Sequence, residues 1–213
     1  MIRADLHLHT IYSGDSKSQL EQIIARCSDV GINCIAVTDH NTIAGALKMQ
    51  QTAPFKVIVG EEIHTTSGEV IGYFMTQEIP GRLPIEETVH RIREQGGVVA
   101  VPHPFDRLRG SAIQRPALEG ILPDIDIIEV LNARSLLKRY NTMAELFARK
   151  HGLLASAGSD AHTLSEIGRA YVEMPDFDGR DGFLKALAEG KIMGQVSPRI
   201  VHLKSTWAKL KGT

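Results

Sequence analysis

Short apolar runs alternate along the chain with longer segments in which apolar residues recur every three or four positions. The short runs are rich in Val, Ile and Leu, which is typical of buried β-strands. The strands predicted in this way lie at 2–8, 34–38, 57–62, 97–101, 125–131, 153–157 and 170–174.

The longer segments predict amphipathic helices. In the first of them Leu20, Ile23, Ile24 and Cys27 form one apolar stripe, and Gly31 follows as a helix-ending glycine. The predicted helices lie at 20–30, 42–51, 85–95, 138–151 and 181–189.

The alternation of the two patterns predicts repeated βα units around a largely parallel sheet. A polar turn at 65–68 and a second run at 69–75 add an antiparallel hairpin. About seven units in so short a chain favour an α/β fold of the closed or nearly closed barrel type, although an open doubly wound sheet has the same pattern.

Length and composition predict a single domain over 1–213. The chain has 213 residues, of which 43% are hydrophobic, enough for one substantial core. The last stretch, about 196–213, carries Trp207, Lys204, Lys209 and Lys211 and is expected to form a solvated C-terminal helix or tail.

Charge, cysteines and hydropathy narrow the possible partners. A formal charge of −1 disfavours an extended grip on nucleic acid and fits a small substrate. Cys27 and Cys34 are interpreted as structural thiols in a reducing compartment. The chain has no leader pattern and no run near the roughly 18 apolar residues that span a bilayer, so we expect a cytoplasmic protein.

Candidate chemistry begins in the first strand, with Asp5, His7 and His9. Strict alternation would send these three side chains to one face and Leu6 and Leu8 to the other. Two imidazoles beside a carboxylate are typical of a metal site. The alternative is a strand with solvent-facing polar residues.

Similar polar groups follow four more apolar runs, at the strand ends where functional residues gather in α/β folds. Asp39 and Asn41, which flank one of the histidines, could instead be a turn former and a helix N-cap. Glu61 and Glu62 are neighbours on a predicted strand, so the alternation of side chains lets only one of the two carboxylates face inward. The four groups are Asp39-His40-Asn41, Glu61-Glu62-Ile63-His64, Pro102-His103-Pro104 and Ser159-Asp160-Ala161-His162.

Imidazole and carboxylate ligands without cysteine suit manganese, zinc or iron. A carboxylate such as Glu62 can bridge two ions and so generate a bound hydroxide between them. From the residues alone, the pattern predicts metal-assisted hydrolysis.

The ordered set of motifs resembles the polymerase and histidinol phosphatase (PHP) family. The family signature Asp-x-His-x-His stands here at 5–9, and later family motifs are matched at 38–40, 60–63, 103–104 and 158–162. The resemblance runs from Asp5 to about Leu187. It implies a distorted (β/α)7 barrel with two or three divalent metal ions.

Three ligand sets follow from the resemblance. The second set departs from the family, which often has a histidine where this chain has Glu69. Asp15 also replaces a histidine found in some relatives, and Ser13-Gly14-Asp15 could equally be a surface turn. The implied sets are His7, His9, Glu62 and Asp160 for the first ion, Glu62, Glu69 and His103 for the second, and Asp15, His40 and His162 for the third.

Several residues outside the ligand sets are candidates for supporting roles. Arg134 could hold a substrate phosphate with its planar guanidinium, or form a surface salt bridge. Arg107, Arg109 and Lys138 could add positive potential, Glu129 could hydrogen-bond a ligand histidine, and His64 is an alternate site residue. His90, His151 and His202 are not expected in the site.

The function implied is hydrolysis of a small phosphomonoester or nucleotide by a metal-bound hydroxide, with Asp160, His162 and Arg134 as catalytic residues. Three alternatives stay open: a histidinol-phosphate phosphatase, an exonuclease and a non-catalytic metal-binding domain.

Overall fold

The computed structural model describes residues 1–196. Over this range the chain forms nine strands and six α-helices. The strands are β1 Ile2–Leu8, β2 Cys34–Val37, β3 Lys56–Thr65, β4 Gly68–Tyr73, β5 Val98–Val101, β6 Ile127–Asn132, β7 Leu154–Gly158, β8 Ala170–Met174 and β9 Lys191–Gly194. The helices are α1 Leu20–Val30, α2 Ala44–Thr52, α3 Ile85–Glu94, α4 Arg115–Gly120, α5 Lys138–His151 and α6 Gly179–Ala188.

The strands form one curled sheet in the order β7-β6-β5-β4-β3-β2-β1-β8-β9. The pairs β1–β2, β2–β3, β5–β6 and β6–β7 are parallel, whereas β3–β4, β4–β5, β1–β8 and β8–β9 are antiparallel. The prediction of a largely parallel sheet was therefore wrong, because both the hairpin and the return of β8 alongside β1 reverse the strand direction.

Strands β1 to β7 nevertheless close into a barrel at one end. The chain just beyond β7 meets the end of β1 through a parallel bridge between Leu8 and Ala161. The amide of Asp160 donates to the carbonyl of His7 at 2.6 Å, and the amide of His9 donates to the carbonyl of Ala161 at 3.0 Å. The predicted barrel is confirmed as a nearly closed one. Its seven strands differ by one from those predicted, because 170–174 is β8 and lies outside the closure with β9, whereas the hairpin strand β4 lies within it.

The two faces of the sheet bury two apolar clusters. Helix residues such as Ile23 and Met49 pack with Ile35 and Val37 of β2 in the outer cluster. The alternate residues of β2, Cys34 and Ala36, belong to the cluster inside the barrel. This arrangement places α1 to α5 around the outside of the strands, as the 3.6-residue and 2-residue periodicities require. Helix α6 instead contributes Phe183, Ala186 and Leu187 to the inner cluster.

Strand β1 breaks the alternation that its sequence predicts. Leu6 belongs to the inner cluster and Leu8 to the outer one, and the register with β2 shifts between Asp5 and Leu8. The irregularity turns His7 into the barrel mouth. Asp5 instead accepts hydrogen bonds from the amides of Ser159 and Gly168, so its role is to tie β1 to the segments after β7.

Helices α1 and α5 have the predicted bounds, and Gly31 ends α1 with a left-handed φ of 74°. Two elements were missed. Helix α4 is only six residues long, with a proline in its first turn, and β9 is a largely exposed strand without an apolar run. Both are too short or too polar to produce a periodic signal.

Three further observations bear on the sequence predictions. Cys27 and Cys34 are both free and buried, as expected of structural thiols. Within residues 1–196, no helix combines the length and the apolar character that crossing a bilayer requires. The C-terminal helix or tail expected at about 196–213, including His202 and Trp207, lies beyond the described residues.

Candidate metal centre

All the predicted ligands meet at the closed end of the barrel. They stand on β1, β3 and β4 or on the turns that follow β1, β2, β5 and β7. Glu69 reaches the same end although it lies near the start of β4, because β4 runs antiparallel to β3 and pairs Glu69 with His64. The antiparallel hairpin thus adds a carboxylate that a purely parallel barrel would place at the opposite end.

The first set consists of His7, His9, Glu62 and Asp160, all of which are about 1% exposed. The Nε2 atoms of His7 and His9 are 3.2 Å apart, and each lies 3.3 Å from Oε2 of Glu62. Oδ1 of Asp160 is 3.3 Å from Nε2 of His9 and 3.8 Å from Nε2 of His7. Four donor atoms therefore converge on one small volume.

The second set shares Glu62. Nε2 of His103 lies 3.2 Å from Oε1 of Glu62 and 3.6 Å from Oε2 of Glu69. Oε2 of Glu62 faces the first set and Oε1 faces the second. The two oxygens therefore point to different sets, as a bridging carboxylate requires. His103 has a φ of 29°, so the turn after β5 holds it in an uncommon backbone conformation.

The third set is more open than the other two. Oδ2 of Asp15 lies 3.0 Å from Nε2 of His162 and 3.4 Å from Nε2 of His40. Asp15 follows a short 3-10 turn at Ile11–Ser13 and Gly14, whose φ of 77° redirects the chain. The segment is therefore more than a surface turn, because it brings Asp15 into the cluster.

Hydrogen bonds orient several of the imidazoles. Nδ1 of His7 lies 3.1 Å from Oε1 of Glu129, and Nδ1 of His162 lies 2.9 Å from the carbonyl oxygen of Asp160. Both acceptors require a ring proton on Nδ1, so Nε2 is the ring nitrogen that faces the cluster. The expected contact of Glu129 with a ligand histidine is present, and its other oxygen accepts from the amide of His103 at 2.8 Å.

Burial and opposite charges shift the pKa values strongly. Burial opposes ionisation of Glu62 and Asp160, but His7 and His40 hold the pKa of Glu62 well below its usual range, and Arg109 and His7 do the same for Asp160. Burial and the neighbouring His162 lower the pKa of His9 to about 3. The cluster thus presents ionised carboxylates and a neutral His9, the forms in which these groups bind metal ions. Burial opposes protonation of His7 and His40, but Glu62 and the other nearby carboxylates raise the pKa of His7 well above its usual range and that of His40 to about 9, so these two imidazoles must release a proton when a metal ion binds.

Glu61, the neighbour of Glu62 on β3, faces away from this cluster. Burial raises the pKa of Glu61 to about 8, and its carboxyl group accepts a hydrogen bond from the amide of Ile79. Only Glu62 points into the barrel mouth, as the alternation of β3 predicts.

The ligand sets border one cavity of about 450 Å³, which Arg109 and Arg134 also line. Arg134 is 11% exposed, and its Nε lies 3.7 Å from Oε1 of the buried Glu166, so its salt bridge is not a surface one. Lys138 lines a separate groove along α5, and Arg107 is exposed. Neither of these two positions lines the cavity, whereas Arg109 does.

Of the remaining histidines within the described residues, two lie outside the site and one lies beside it, as predicted. His90 is 70% exposed on α3 beside Glu94, and His151 packs its ring against Phe147 at the end of α5. His64, in contrast, lies beside the ligands, with Nε2 2.9 Å from Oε1 of Glu69.

Sequence reasoning missed several polar partners in the site. Asn132 donates to Glu129 and to Asp160, at 2.9 and 3.2 Å. Ser13 lies 3.1 Å from Nδ1 of His9 and accepts from the amide of His40. Asn41 is not a helix N-cap, because α2 begins at Ala44 and the side chain of Asn41 contacts His64. No spacing signal marks such residues, since they matter only through neighbours distant in sequence.

Comparisons with known proteins show which chains this one is similar to. The PHP-associated (PHP_C) family model matches residues 138–192. The chain is 39% identical over 146 residues to the uncharacterized protein MJ1587 of Methanocaldococcus jannaschii, covering 62% of this chain and 82% of that protein. It is 36% identical over 183 residues to MJ0417 of the same organism, covering 83% and 72% of the two chains.

A solved structure shows the same fold. It is a two-domain protein from Bacteroides vulgatus that contains a predicted PHP-like metal-dependent phosphoesterase. The TM-score is 0.73 at 16% identity, with 98% of this chain and 69% of that chain covered. Together with the matches above, this fold assigns the chain to the PHP domain family.

The donor set fits the divalent metals of such a family. Among the described residues, four groups of His, Asp and Glu each bring their ligand atoms within 4.8 Å of one another: His9 with Asp15, His40 and His162; His7 with Glu62 and His103; His7 and His9 with Asp160; and His40 with His64 and Glu69. Buried carboxylates crowded together in this way would be costly without cations among them, and metal ions at these groups would supply the positive charge.

Proposed function

We propose that this protein is a metal-dependent phosphoesterase that hydrolyses a small phosphomonoester or nucleotide. The observation that carries the proposal is the convergence of the three ligand sets on one cavity that two arginines line. A cavity of about 450 Å³ suits a small molecule better than a polymer.

The proposed ligands of two or three ions are those predicted from the sequence, including Glu69 and Asp15. Imidazole and carboxylate donors favour manganese, zinc or iron. When bound, such ions activate water as a nucleophile and neutralise charge on phosphoryl oxygens.

Three side chains beside the proposed ions would have separate roles: Arg134 would bind the substrate, and His162 and Asp160 would hold the ions. Arg134 borders the cavity close to His162 and Asp160, and a guanidinium can bind two phosphoryl oxygens at once. His162 keeps Nε2 directed at Asp15 because its Nδ1 is bonded to the carbonyl of Asp160. Asp160 keeps its charge because cationic groups surround it.

The test combines metal analysis with hydrolysis assays. Protein purified without chelator should contain at least two equivalents of metal and, after reconstitution with Mn²⁺ or Zn²⁺, should hydrolyse p-nitrophenyl phosphate faster than its bis ester. His7→Ala and Asp160→Asn should lose both properties, whereas the exposed His90→Ala should keep them. Absence of metal and of activity in every reconstituted sample would contradict the proposal and favour a non-catalytic domain.

The same assays separate the remaining enzyme alternatives. Selective hydrolysis of histidinol phosphate in a panel of phosphate monoesters would identify a histidinol-phosphate phosphatase. Release of mononucleotides from a short single-stranded oligonucleotide, with little activity on monoesters, would identify an exonuclease.

A further inference from the structure

Arg109 lies in the loop between β5 and α4 and reaches into the metal centre. Its side chain is 22% exposed, and each of its three guanidinium nitrogens faces a protein oxygen. Nη1 donates to Oδ2 of Asp160 at 2.5 Å, Nη2 donates to Oδ1 of Asn132 at 3.2 Å, and Nε lies 3.4 Å from Oδ2 of Asp106. These contacts occupy N–H groups of the guanidinium that would otherwise be available to bind a phosphate.

The two oxygens of Asp160 have different surroundings. Oδ1 faces Nε2 of His7 and of His9, whereas Oδ2 accepts from Arg109 and from Asn132. The carboxylate is thereby held with one oxygen toward the first ligand set and the other toward the protein. A ligand held in this way binds a metal through one oxygen in a defined direction.

The backbone at Asp160 explains why this support is needed. Asp160 has a φ of 52°, a left-handed conformation that costs energy for a residue with a Cβ. Such a conformation persists only where its surroundings hold it. The hydrogen bonds that Arg109 and Asn132 donate to the Asp160 carboxylate, with the bond from the Asp160 amide to the carbonyl of His7, supply that restraint.

Arg109 also links Asp160 to another ligand. Asp106, which is 1% exposed, lies against Arg109 and donates its amide hydrogen to the carbonyl of His103. The chain of contacts His103, Asp106, Arg109 and Asp160 therefore joins the turn after β5 to the turn after β7.

We propose that Arg109 is a positioning residue of the metal centre, which aligns Asp160 for the first ion and fixes it relative to His103. It is not a substrate-binding arginine. This inference rests on the metal centre of the proposed function, but it concerns metal binding and not hydrolysis, so the two can fail separately.

The test is a spectroscopic Co²⁺ titration of the metal-stripped chain of 213 residues. Removing an outer partner of a metal ligand typically weakens binding about 10–100-fold, so we expect a loss in this range for Arg109→Met. Arg109→Lys should retain the fold and the charge and give an intermediate loss, because one ammonium cannot reach all three oxygens. Arg107→Met, an exposed position of the same loop, is the matched control and should bind Co²⁺ as the wild type does.

A second measurement separates positioning from substrate binding. With Mn²⁺ at saturation, the affinity of Arg109→Lys for inorganic phosphate should equal that of the wild type. Unchanged Co²⁺ affinity and an unchanged Co²⁺ absorption spectrum in both Arg109 variants would overturn the inference, as would a lysine variant that lost phosphate binding alone.

Discussion

At the scale of single residues, the hydrogen bonds distinguish the candidate ligands from the residues that orient them. Glu129 orients His7, and the carbonyl of Asp160 orients His162. His64 offers a comparable support for Glu69. The support is built from groups on neighbouring turns, which the sequence shows only as isolated polar residues.

The contacts of Asn41 indicate which nitrogen of His64 carries the proton. Oδ1 of Asn41 accepts from the backbone amide of His64 at 3.0 Å, so Nδ2 of Asn41 faces Nδ1 of His64 at 3.4 Å. An amide donor at Nδ1 places the ring proton on Nε2, beside Oε1 of Glu69. Oε2 of Glu69 then remains directed at His103.

We therefore predict that His64→Ala weakens binding of the second ion, by up to about 10–100-fold. His64→Gln should restore most of the affinity, because the Gln amide can place a donor near the position of Nε2. The measurement is Mn²⁺ titration by calorimetry, with His151→Ala as the control. Equal affinities of the alanine variant and the wild type would show that Glu69 needs no such support.

At the scale of elements, the close approach of β7 to β1 determines the geometry of the site. Gly158 ends β7 where a Cβ would lie 2.3 Å from Cβ of His7 and 2.8 Å from its amide nitrogen. Only glycine allows the two strands to come this near. The same approach permits the hydrogen bonds that close the barrel beneath the ligands.

Gly158→Ala is expected to push β1 away from β7, since backbone atoms cannot yield as a flexible side chain can. Overpacking of this kind costs about 1–3 kcal/mol of unfolding free energy, and the shift of His7 should also lower metal affinity. Urea unfolding and Co²⁺ titration would measure the two effects. Gly120→Ala is the control, because a Cβ there meets no atom within 4 Å and the residue lies in helix α4; comparable losses in both variants would contradict the prediction.

At the scale of the whole molecule, the candidate ligands come from segments far apart in the described chain. His7 and Asp160 are brought together only when β1 and β7 lie side by side. An unfolded chain cannot assemble this set, so ions should bind the folded state alone and stabilise it.

Adding Mn²⁺ at about 100 times its dissociation constant is expected to raise the unfolding free energy by roughly 2.7 kcal/mol for each site. In a chain of this size the melting temperature should rise by about 5–10 °C per site. Calorimetry of metal-stripped and reconstituted protein tests this, with the Glu62→Gln variant as a control that should respond less. An equal melting temperature with and without metal would argue against a metal centre that depends on the fold.

The sequence by itself determined most elements and the identity of most candidate ligands. Apolar periodicity located α1 and α5 to the residue, because buried stripes and helix-ending glycines are local signals. The polar groups at strand ends pointed to the candidate ligands for the same reason. The antiparallel return of β8, by contrast, has no local signature.

Only the tertiary structure decided which residues act on one another. The shift in β1 that separates Leu6 from Leu8, the clamp of Arg109 on Asp160 and the position of Lys138 outside the site all depend on contacts between distant segments. Local preferences are set within a few residues, whereas these contacts arise when the barrel closes and strands far apart in sequence become neighbours.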